Sequence, residues 1–390
     1  MINKLIYLFH IILVVVCCTP YFLLAPYIGY LIAVISGCII SLVTIKYPNT
    51  LLKILNKHSI SISLYLIFLT LALINIIFSE TNVKLGHTFF FCSFLGIYVI
   101  GITTNLLPNL KRDITWFFIL VNIINCCISI PNLFDDNVWI SRRITSGEAS
   151  EDEILFARIS SIGNYSYYML LAVIVPYSLD FIKLNNYSIL KKGIILLLVL
   201  LIIVEVLMST YFSAFSNLLL IMLIYAIYNI KKNYFKVLTI ATIISFTFTF
   251  SYNYISKNDA FMYVVEKLER MSNGISNKGI VEGDETQRSK LTINSINTFQ
   301  KNPIMGVGPQ DYRQYDLVGG HSFWFDFFAQ YGFVFTLFST SIFYMYYENR
   351  KSKHFSPIRK LCFLIIILSS FGNPLLLSPF VYYFCFILLW

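Results

Sequence analysis

Apolar stretches of about 20 residues recur along most of the chain, and short polar connections separate them. An α-helix needs this length to cross the hydrocarbon core of a bilayer. The pattern therefore predicts an all-α polytopic membrane protein with about twelve transmembrane helices. Their predicted starts lie near Leu5, Tyr27, Ile60, His87, Ile114, Tyr165, Gly193, Tyr211, Phe235, Ser322, Ile358 and Leu375. A turn at Gly372-Asn373-Pro374 separates the last two.

Two polar segments, 134–164 and 256–320, are much longer than the other connections. The second lies between the ninth and tenth predicted helices, and its pattern predicts helices of its own. One is indicated by apolar residues at helical spacing, namely Phe261, Val264, Val265, Leu268 and Met271. Another is predicted to begin at Asp284 and to end before Pro303. We interpret 1–390 as a single transmembrane domain that contains 256–320 as a large extracytoplasmic loop.

The composition supports a membrane protein and argues against a nucleic-acid-binding one. Hydrophobic residues make up 57% of the chain and charged residues 13%, about half the charged share of a soluble domain. The net charge of +9 comes largely from Lys and Arg in alternate short connections, without a continuous basic stripe. Because such residues favour the cytoplasmic side, both termini are predicted to be cytoplasmic and the long loop to face outward.

The cysteines predict neither a disulfide framework nor a zinc site. All eight lie in or beside apolar segments, and the sequence has no Cys-x-x-Cys pair. The first apolar run has no obvious cleavage site and is followed at once by a second run. We interpret it as a retained span and not as a signal peptide.

Three residues near predicted membrane boundaries are candidates for chemistry. His321 follows a Gly-Gly turn and begins a span, and its ordinary pKa lies near neutrality, so it could accept a hydroxyl proton. Arg158 and Arg288 lie in the outward loops, where their planar guanidinium groups suit a diphosphate. The alternatives are an interfacial histidine that only packs or caps, and arginines that face solvent or lipid headgroups.

Four further residues are weaker candidates. Asp326 lies five residues after His321 and could face the same cavity or satisfy a neighbour. Glu205 is an acid inside an apolar run, which marks a functional candidate unless it reaches water near the end of its helix. Trp324 and Tyr165 are among the aromatic residues that could stack on sugars. The sequence lacks the Asp-x-Asp motif of metal- and nucleotide-sugar-dependent glycosyltransferases.

The stretch 287–336 resembles the O-antigen ligase/O-antigen polymerase superfamily of bacterial membrane glycosyltransferases. The family pattern at the end of the large outer loop is His-(Asn/Ser/Gln)-x9-Gly-x-x-Gly-Thr. Here His321-Ser322, nine residues, Gly332, two residues and Phe335-Thr336 match every position except the second glycine, which is Phe335.

Two upstream segments add to the resemblance, and a third departs from it. Arg288 followed by the stretch 302–308, Asn-Pro-Ile-Met-Gly-Val-Gly, is similar to the family's Arg and Pro-x-x-Gly-x-Gly. The segment 157–164 is similar to the family's other arginine-bearing segment and contains Arg158. At 209–214 the chain reads Ser-Thr-Tyr-Phe-Ser-Ala where the family often has Ser-Arg-Gly, so that arginine is missing.

The resemblance implies a metal-independent glycosyltransferase without a cofactor, located in the bacterial inner membrane with its active site outside the cytoplasm. Its donor would be a glycan on undecaprenyl pyrophosphate and its acceptor a sugar hydroxyl. Membrane lipid and a chain-length regulator are further implied partners. Arg158 and Arg288 would bind the pyrophosphate, His321 would act on the acceptor, and Asp326, Trp324 and Tyr165 would help to bind the glycan.

Three activities remain open from the sequence. The compact His-Ser-Phe-Trp-Phe-Asp segment favours a repeat-unit polymerase of O-antigen or capsular polysaccharide over a ligase that transfers glycan to the lipid A core. A flippase or transporter of lipid-linked sugar is the alternative of another class. It would predict several charges along mid-membrane helices and related halves, whereas the sequence has few such charges and no internal repeat.

Overall fold

The part of the chain that the structure describes is mostly helical, as the apolar pattern predicts. This computed structural model describes residues 1–79, 84–107, 109–133, 137, 139–184, 187–209, 211–230, 284–310, 317–350 and 356–389. Within these ranges there are helices and turns but no strand. The helices predicted to start near Phe235 and to contain Phe261 to Met271 lie outside them.

The α-helices of the described residues are numbered here in chain order. They are α1 (Ile2–Cys18), α2 (Pro20–Leu23), α3 (Ile28–Lys46), α4 (Pro48–Lys57), α5 (Ser59–Phe78), α6 (Lys84–Thr103), α7 (Leu110–Asn132), α8 (Ile140–Ser146), α9 (Glu151–Ile159), α10 (Tyr165–Leu184), α11 (Ile189–Met208), α12 (Phe212–Ile230), α13 (Asp284–Lys301), α14 (Phe323–Tyr331), α15 (Phe335–Arg350), α16 (Pro357–Ser369) and α17 (Pro379–Tyr383). Short 3-10 turns cover Thr104–Leu106, Gly332–Val334 and Leu375–Leu377, and a π-helical turn, Phe384–Leu388, continues α17.

Six stretches among the described residues are long and apolar enough to cross a bilayer, which makes this a multi-pass membrane protein. They are Ile28–Lys46, Ser59–Phe78, Leu85–Thr103, Leu110–Asn132, Tyr165–Lys183 and Phe323–Glu348. The larger number of about twelve, and the outward direction of the long loop, stay predictions. Two local predictions are confirmed: α13 ends before Pro303, and the chain turns between α16 and the helix that begins at Pro379.

The chain divides into two compact units. The first comprises Met1–Cys18, Ala25–Phe118 and Val281–Trp390. Within it α3 packs on α1 and α6, and α15 packs on α5. Its core is unusually aromatic: the buried rings of Phe68 and Phe91 meet edge to face with centroids 4.9 Å apart, and both rings pack against Tyr331. Edge-to-face pairs of this kind stabilise beyond the apolar area that they bury.

The second unit comprises Thr19–Leu24 and Ile119–Ile280. Its helix α10 packs on α11 and α12. The described part of the polar segment between α7 and α10 contains the short helices α8 and α9. A small apolar cluster holds these helices to the ends of α7 and α11; its buried members are Leu133, Ile140, Ala157, Ile162 and Met208. A capping box between Ser150 and Glu153 starts α9, and Gly147 ends α8 in the left-handed conformation.

Candidate functional site

His321 lies in the turn that leads into α14. Gly320 before it has a φ of +71°, a conformation that glycine adopts without strain. Ser322 after it caps α14, because its Oγ accepts a hydrogen bond of 3.3 Å from the amide of Phe325. His321 is half-buried, so its side chain stands at the edge of a packed region.

The Asp326 carboxylate fastens this turn to α13. The side chain is in the first turn of α14, and the residue is 1% exposed. Its Oδ1 accepts from the Ser295 hydroxyl at 2.6 Å, and its Oδ2 accepts from the Ser322 amide at 2.9 Å. The Ser295 hydroxyl in turn accepts from the Gly319 amide at 2.9 Å. Both oxygens of Asp326 therefore bind protein groups, and a role as a direct substrate ligand stays a prediction.

The helix that carries Arg288 runs directly beside this turn. A Cβ added to Gly319 would lie 2.3 Å from the Leu291 carbonyl oxygen, so the two backbones are in close contact. Arg288 precedes Leu291 by three residues and Ser295 by seven, which places all three on one side of α13. The side chain of Arg288 lies outside the described part of the structure. The first unit therefore places the His321 turn next to the face of α13 on which Arg288 lies.

The Pro-x-x-Gly-x-Gly segment packs against the end of α14. The amides of Val307 and Gly308 donate to the carbonyl oxygens of Ala329 and Gln330 at 3.0 and 2.9 Å. The amide of Phe333 donates to the Pro303 carbonyl oxygen at 2.7 Å. The two motif segments of the resemblance are thus joined by backbone hydrogen bonds.

Two glycines permit this close packing. Gly306 and Gly332 have φ values of +70° and +59°. A Cβ on Gly306 would lie 2.3 Å from the Gln330 carbonyl carbon, and one on Gly332 would lie 2.5 Å from the Ile304 carbonyl carbon. Both the backbone conformation and the lack of space demand glycine. Gly306, the first glycine of the Gly-x-Gly motif, and Gly332 therefore have a structural explanation here.

The departure from the family pattern at Phe335 also has a structural explanation. The residue is fully buried, with φ −63° and ψ −20°, which any residue adopts. Its ring contacts those of Phe328 and Phe327 at centroid distances of 5.0 and 5.3 Å. Phe335 fills the aromatic core, whereas a glycine would leave a cavity.

Trp324 belongs to the same core. It is 4% exposed, its ring stacks on Phe371 and Phe343, and its Nε1 donates to the Ile367 carbonyl oxygen at 3.2 Å. A sugar could stack on this ring only if a neighbouring ring moved. The predicted role of Trp324 in substrate binding stays a prediction.

In the second unit, Arg158 lies in the last turn of α9 and is held by Tyr21. Its Nε donates to the Tyr21 carbonyl oxygen at 2.9 Å, and its guanidinium carbon lies 4.6 Å from the centre of the Tyr21 ring. Within the described ranges, this is its one hydrogen bond. The two terminal amino groups of a half-exposed guanidinium are therefore left for a ligand.

Tyr165 begins α10 in the same unit, and its ring meets Tyr211 edge to face at 5.1 Å. The Tyr211 hydroxyl donates to the Ser141 carbonyl oxygen at 2.8 Å and lies 2.7 Å from the Thr145 Oγ1. These bonds fasten α8 to the start of α12. Tyr165 is buried in this contact, and its predicted role in sugar binding stays a prediction.

Several residues of these regions were not among the sequence candidates. Asn75 donates from α5 to the carbonyl oxygens of Met305 and, at 3.2 Å, Gln330. Ser295 holds Asp326. Arg143 of α8 forms an ion pair of 2.6 Å with Glu153 of α9. The sequence signal for Asn75 was an amide inside an apolar span, and that for Ser295 was its seven-residue spacing from Arg288. The signal for Arg143 was its position in the polar segment 134–164.

The structure therefore brings His321, Asp326 and the backbone of Arg288 together in one unit, and Arg158 with Tyr165 in the other. Convergence of all of them on one cavity stays a prediction. Within the described ranges no group of three His, Cys, Asp or Glu side chains could hold a metal ion. No protein-family model matches the chain, and neither a curated protein nor a solved structure matches it.

Proposed function

We propose that this chain is a metal-independent glycosyltransferase that polymerises lipid-linked repeat units of O-antigen or capsular polysaccharide. The observation that carries the proposal is the packing of two family-like segments, 302–308 and 319–336, into one hydrogen-bonded assembly beside the Arg288 helix. Half-buried His321 lies at the edge of this assembly. The order of these segments along the chain is that of the resembled family, which supports the proposal.

The proposed reaction is attack by an acceptor sugar hydroxyl on the anomeric carbon of a glycan linked to undecaprenyl pyrophosphate. The new bond joins the acceptor oxygen to that carbon, the bond from the carbon to the pyrophosphate oxygen breaks, and lipid pyrophosphate leaves. His321 accepts or directs the hydroxyl proton. Arg158 and Arg288 stabilise the negative charge that grows on the pyrophosphate.

Arg158 supports this assignment by its hydrogen bonding. Since Nε is occupied by Tyr21, the guanidinium plane is fixed while the two terminal amino groups remain for phosphate oxygens. Parallel N–H bonds from such a plane suit a diphosphate better than a lysine ammonium does. Pyrophosphate is already a good leaving group, so positioning and charge stabilisation could suffice without a metal.

The proposed location is the bacterial inner membrane, with both termini in the cytoplasm and the site on the extracytoplasmic side. The excess of Lys and Arg in alternate connections supports this orientation. The partners of the proposed reaction are the lipid-linked donor, an acceptor glycan, surrounding lipid and a chain-length regulator.

The test uses the purified full-length protein in lipid nanodiscs. The donor is the undecaprenyl-pyrophosphate-linked repeat unit isolated from source cells that lack this gene. Gels follow product length, and donor binding is measured separately. We expect wild type to lengthen the lipid-linked glycan, and His321→Ala to bind the donor but react about 10²–10⁴ times more slowly.

Matched variants of α13 test the diphosphate role. Arg288→Lys keeps the charge but loses the planar donor pair, so it should lose most activity. Lys290→Ala removes a charge from an exposed position two residues away and should stay active. Equal activity of Arg288→Lys and wild type would exclude Arg288 as a diphosphate ligand.

The same reaction distinguishes the other activities. Glycan transfer to added lipid A core, without lengthening of the lipid-linked chain, would identify a ligase. If wild type forms no product with either acceptor but moves the donor across a proteoliposome membrane, the transferase proposal is wrong and a transporter is correct.

A further inference from the structure

Glu205 is a fully buried acid near the end of an apolar helix. It lies in the last turn of α11 and is 0% exposed. Ser129 lies in the last turn of α7, and Tyr168 lies one turn after the start of α10. These three helix ends in the second unit surround the carboxyl group.

The carboxyl group has few partners. Its Oε1 accepts from the Ser129 hydroxyl at 2.7 Å, the Cys126 thiol lies beside it, and the Tyr168 phenol is close enough to interact electrostatically. Its Oε2 has no hydrogen-bond partner among the described residues. No lysine or arginine in the described part of the chain forms an ion pair with it. A permanent carboxylate here would be a buried charge held by one hydroxyl and one weakly donating thiol, a costly arrangement.

The geometry around Ser129 suits two states of the acid. When Glu205 is ionised, the Ser129 hydroxyl donates to Oε1 at 2.7 Å. When Oε1 carries a proton, that proton can be donated to the Ser129 oxygen, and the Ser129 hydroxyl can turn to the Cys126 carbonyl oxygen at 3.4 Å. A hydroxyl is both donor and acceptor and rotates to suit. The Ser129 hydroxyl can therefore pair with Oε1 of Glu205 both with and without the proton.

The neighbouring groups favour a proton over a metal ion as the ligand. Hard cations take about six oxygen ligands, and here the carboxyl group and the Ser129 hydroxyl supply three oxygens. The Cys126 sulfur suits a soft metal, but the described residues contain no third ligand of that kind. A proton needs only the two oxygens that are 2.7 Å apart.

We propose that Glu205 is a reversible proton-binding site within the membrane region of this protein. The titratable groups that face it are Cys126 of α7 and Tyr168 of α10. The Tyr168 ring packs against Tyr211 at 5.7 Å, and the Tyr211 hydroxyl is bonded to Ser141 and Thr145 of α8. Tyr168 and Tyr211 therefore connect Glu205 to α8, the helix that carries Arg143.

The experiment labels the full-length protein in nanodiscs with dicyclohexylcarbodiimide over about pH 5 to 9, a range that covers known buried carboxyl groups. The reagent takes the proton of a neutral acid on nitrogen while the carboxyl oxygen adds to its central carbon. The adduct rearranges to a stable acylurea, which mass spectrometry locates. We expect a Glu205 adduct that decreases as the pH rises and is absent from Glu205→Gln.

Because the reagent could fail to reach a buried acid, infrared difference spectra between wild type and Glu205→Gln provide a second measurement that needs no reagent. A neutral acid gives a C=O band that should disappear at high pH. Ser129→Ala should keep this band to higher pH, because it removes the donor that stabilises the charged form. A band that is unchanged over the whole range, or absent at every pH, would overturn the proposal.

Discussion

The turn that carries His321 and the loop that carries Arg158 hold their polar groups in opposite ways. In the turn, Asp326 accepts hydrogen bonds at both oxygens, and Gly332 presses against the backbone of Ile304. In the loop, Gly147 has open space around it, and Arg158 keeps two amino groups without a partner among the described residues. The hydrogen bonds of the turn fix the position of its backbone, whereas the loop leaves hydrogen-bond donors of Arg158 for a ligand. The proposed base role of His321 would need the former, and the proposed binding of a lipid diphosphate by Arg158 would need the latter.

The buried acids of the two units also differ in how many hydrogen-bond donors surround them. Asp326 is surrounded by donors from Ser295 and the turn, so its ionised form is satisfied by the protein. Glu205 has one hydroxyl donor, and its second oxygen lacks a hydrogen-bond partner within the described ranges. The two acids are thus equally buried but differ in the number of hydrogen-bond donors, and each donor stabilises the ionised form.

The largest expected difference is in stability, between two variants that each replace a glycine. Gly332→Ala adds a Cβ within 2.5 Å of backbone atoms and also strains φ, so we expect little folded protein. Gly147→Ala strains φ but meets no atom within 4 Å, so it should cost only about 1–2 kcal/mol. Gel filtration and thermal unfolding in detergent measure both. Similar stability of the two variants would mean that the turn is not tightly packed.

The second largest expected difference is in the rate of glycan transfer between variants of two arginines of the loop. Arg158→Lys should slow glycan transfer about ten- to hundredfold, since a hydrogen bond to a charged group contributes about 1.5–3 kcal/mol. Arg143→Lys keeps an ion pair with Glu153 and should change transfer little. Rates with the lipid-linked donor check both. If Arg143→Lys is the more damaging variant, Arg143 and not Arg158 binds the diphosphate.

The third expected difference is in stability, between variants of the two buried acids. Asp326→Asn replaces one carboxylate oxygen by an NH₂ group, which then faces either the Ser295 hydroxyl or the Ser322 amide and leaves that donor without an acceptor. This change should destabilise the fold by about 1–3 kcal/mol. Glu205→Gln resembles the protonated acid and should change stability by less than about 1 kcal/mol. Chemical unfolding in mixed micelles provides the comparison. A larger loss for Glu205→Gln would indicate an ionised, structural Glu205.

The smallest expected effect is a pH dependence confined to the loop. The Ser150 amide, followed by Arg143, lowers the pKa of Glu153 below its ordinary value. A lowered pKa stabilises the fold above the ordinary value, and this contribution is lost as the pH falls through the lower folded value. Amide hydrogen exchange at the start of α9 should therefore increase on acidification relative to Glu153→Gln. Parallel behaviour of the two proteins would show that the cap does not depend on this charge.

Local sequence information is sufficient for the long apolar helices and for α13, but not for the short helices α8 and α9. The apolar runs and the Gly and Pro positions act over a few residues, so the sequence alone predicts an all-helical membrane protein and the end of α13 before Pro303. It also indicates His321, Arg158 and Arg288 through a resemblance to a family. Their functional roles remain proposals because a pattern identifies residue types but not the groups that surround them.

Only the tertiary structure decides which polar groups meet. Asn75 bonds to Gln330 across 255 positions of sequence, and Ser295 meets Asp326 across 31. Such pairs depend on how helices pack, and no local pattern encodes that. The same packing satisfies Asp326, leaves Glu205 with one hydroxyl donor, and gives Arg158 a fixed plane against Tyr21. The sequence by itself determines where the long apolar helices form, while tertiary packing sets the surroundings of each buried charge, because its hydrogen-bond donors come from distant segments.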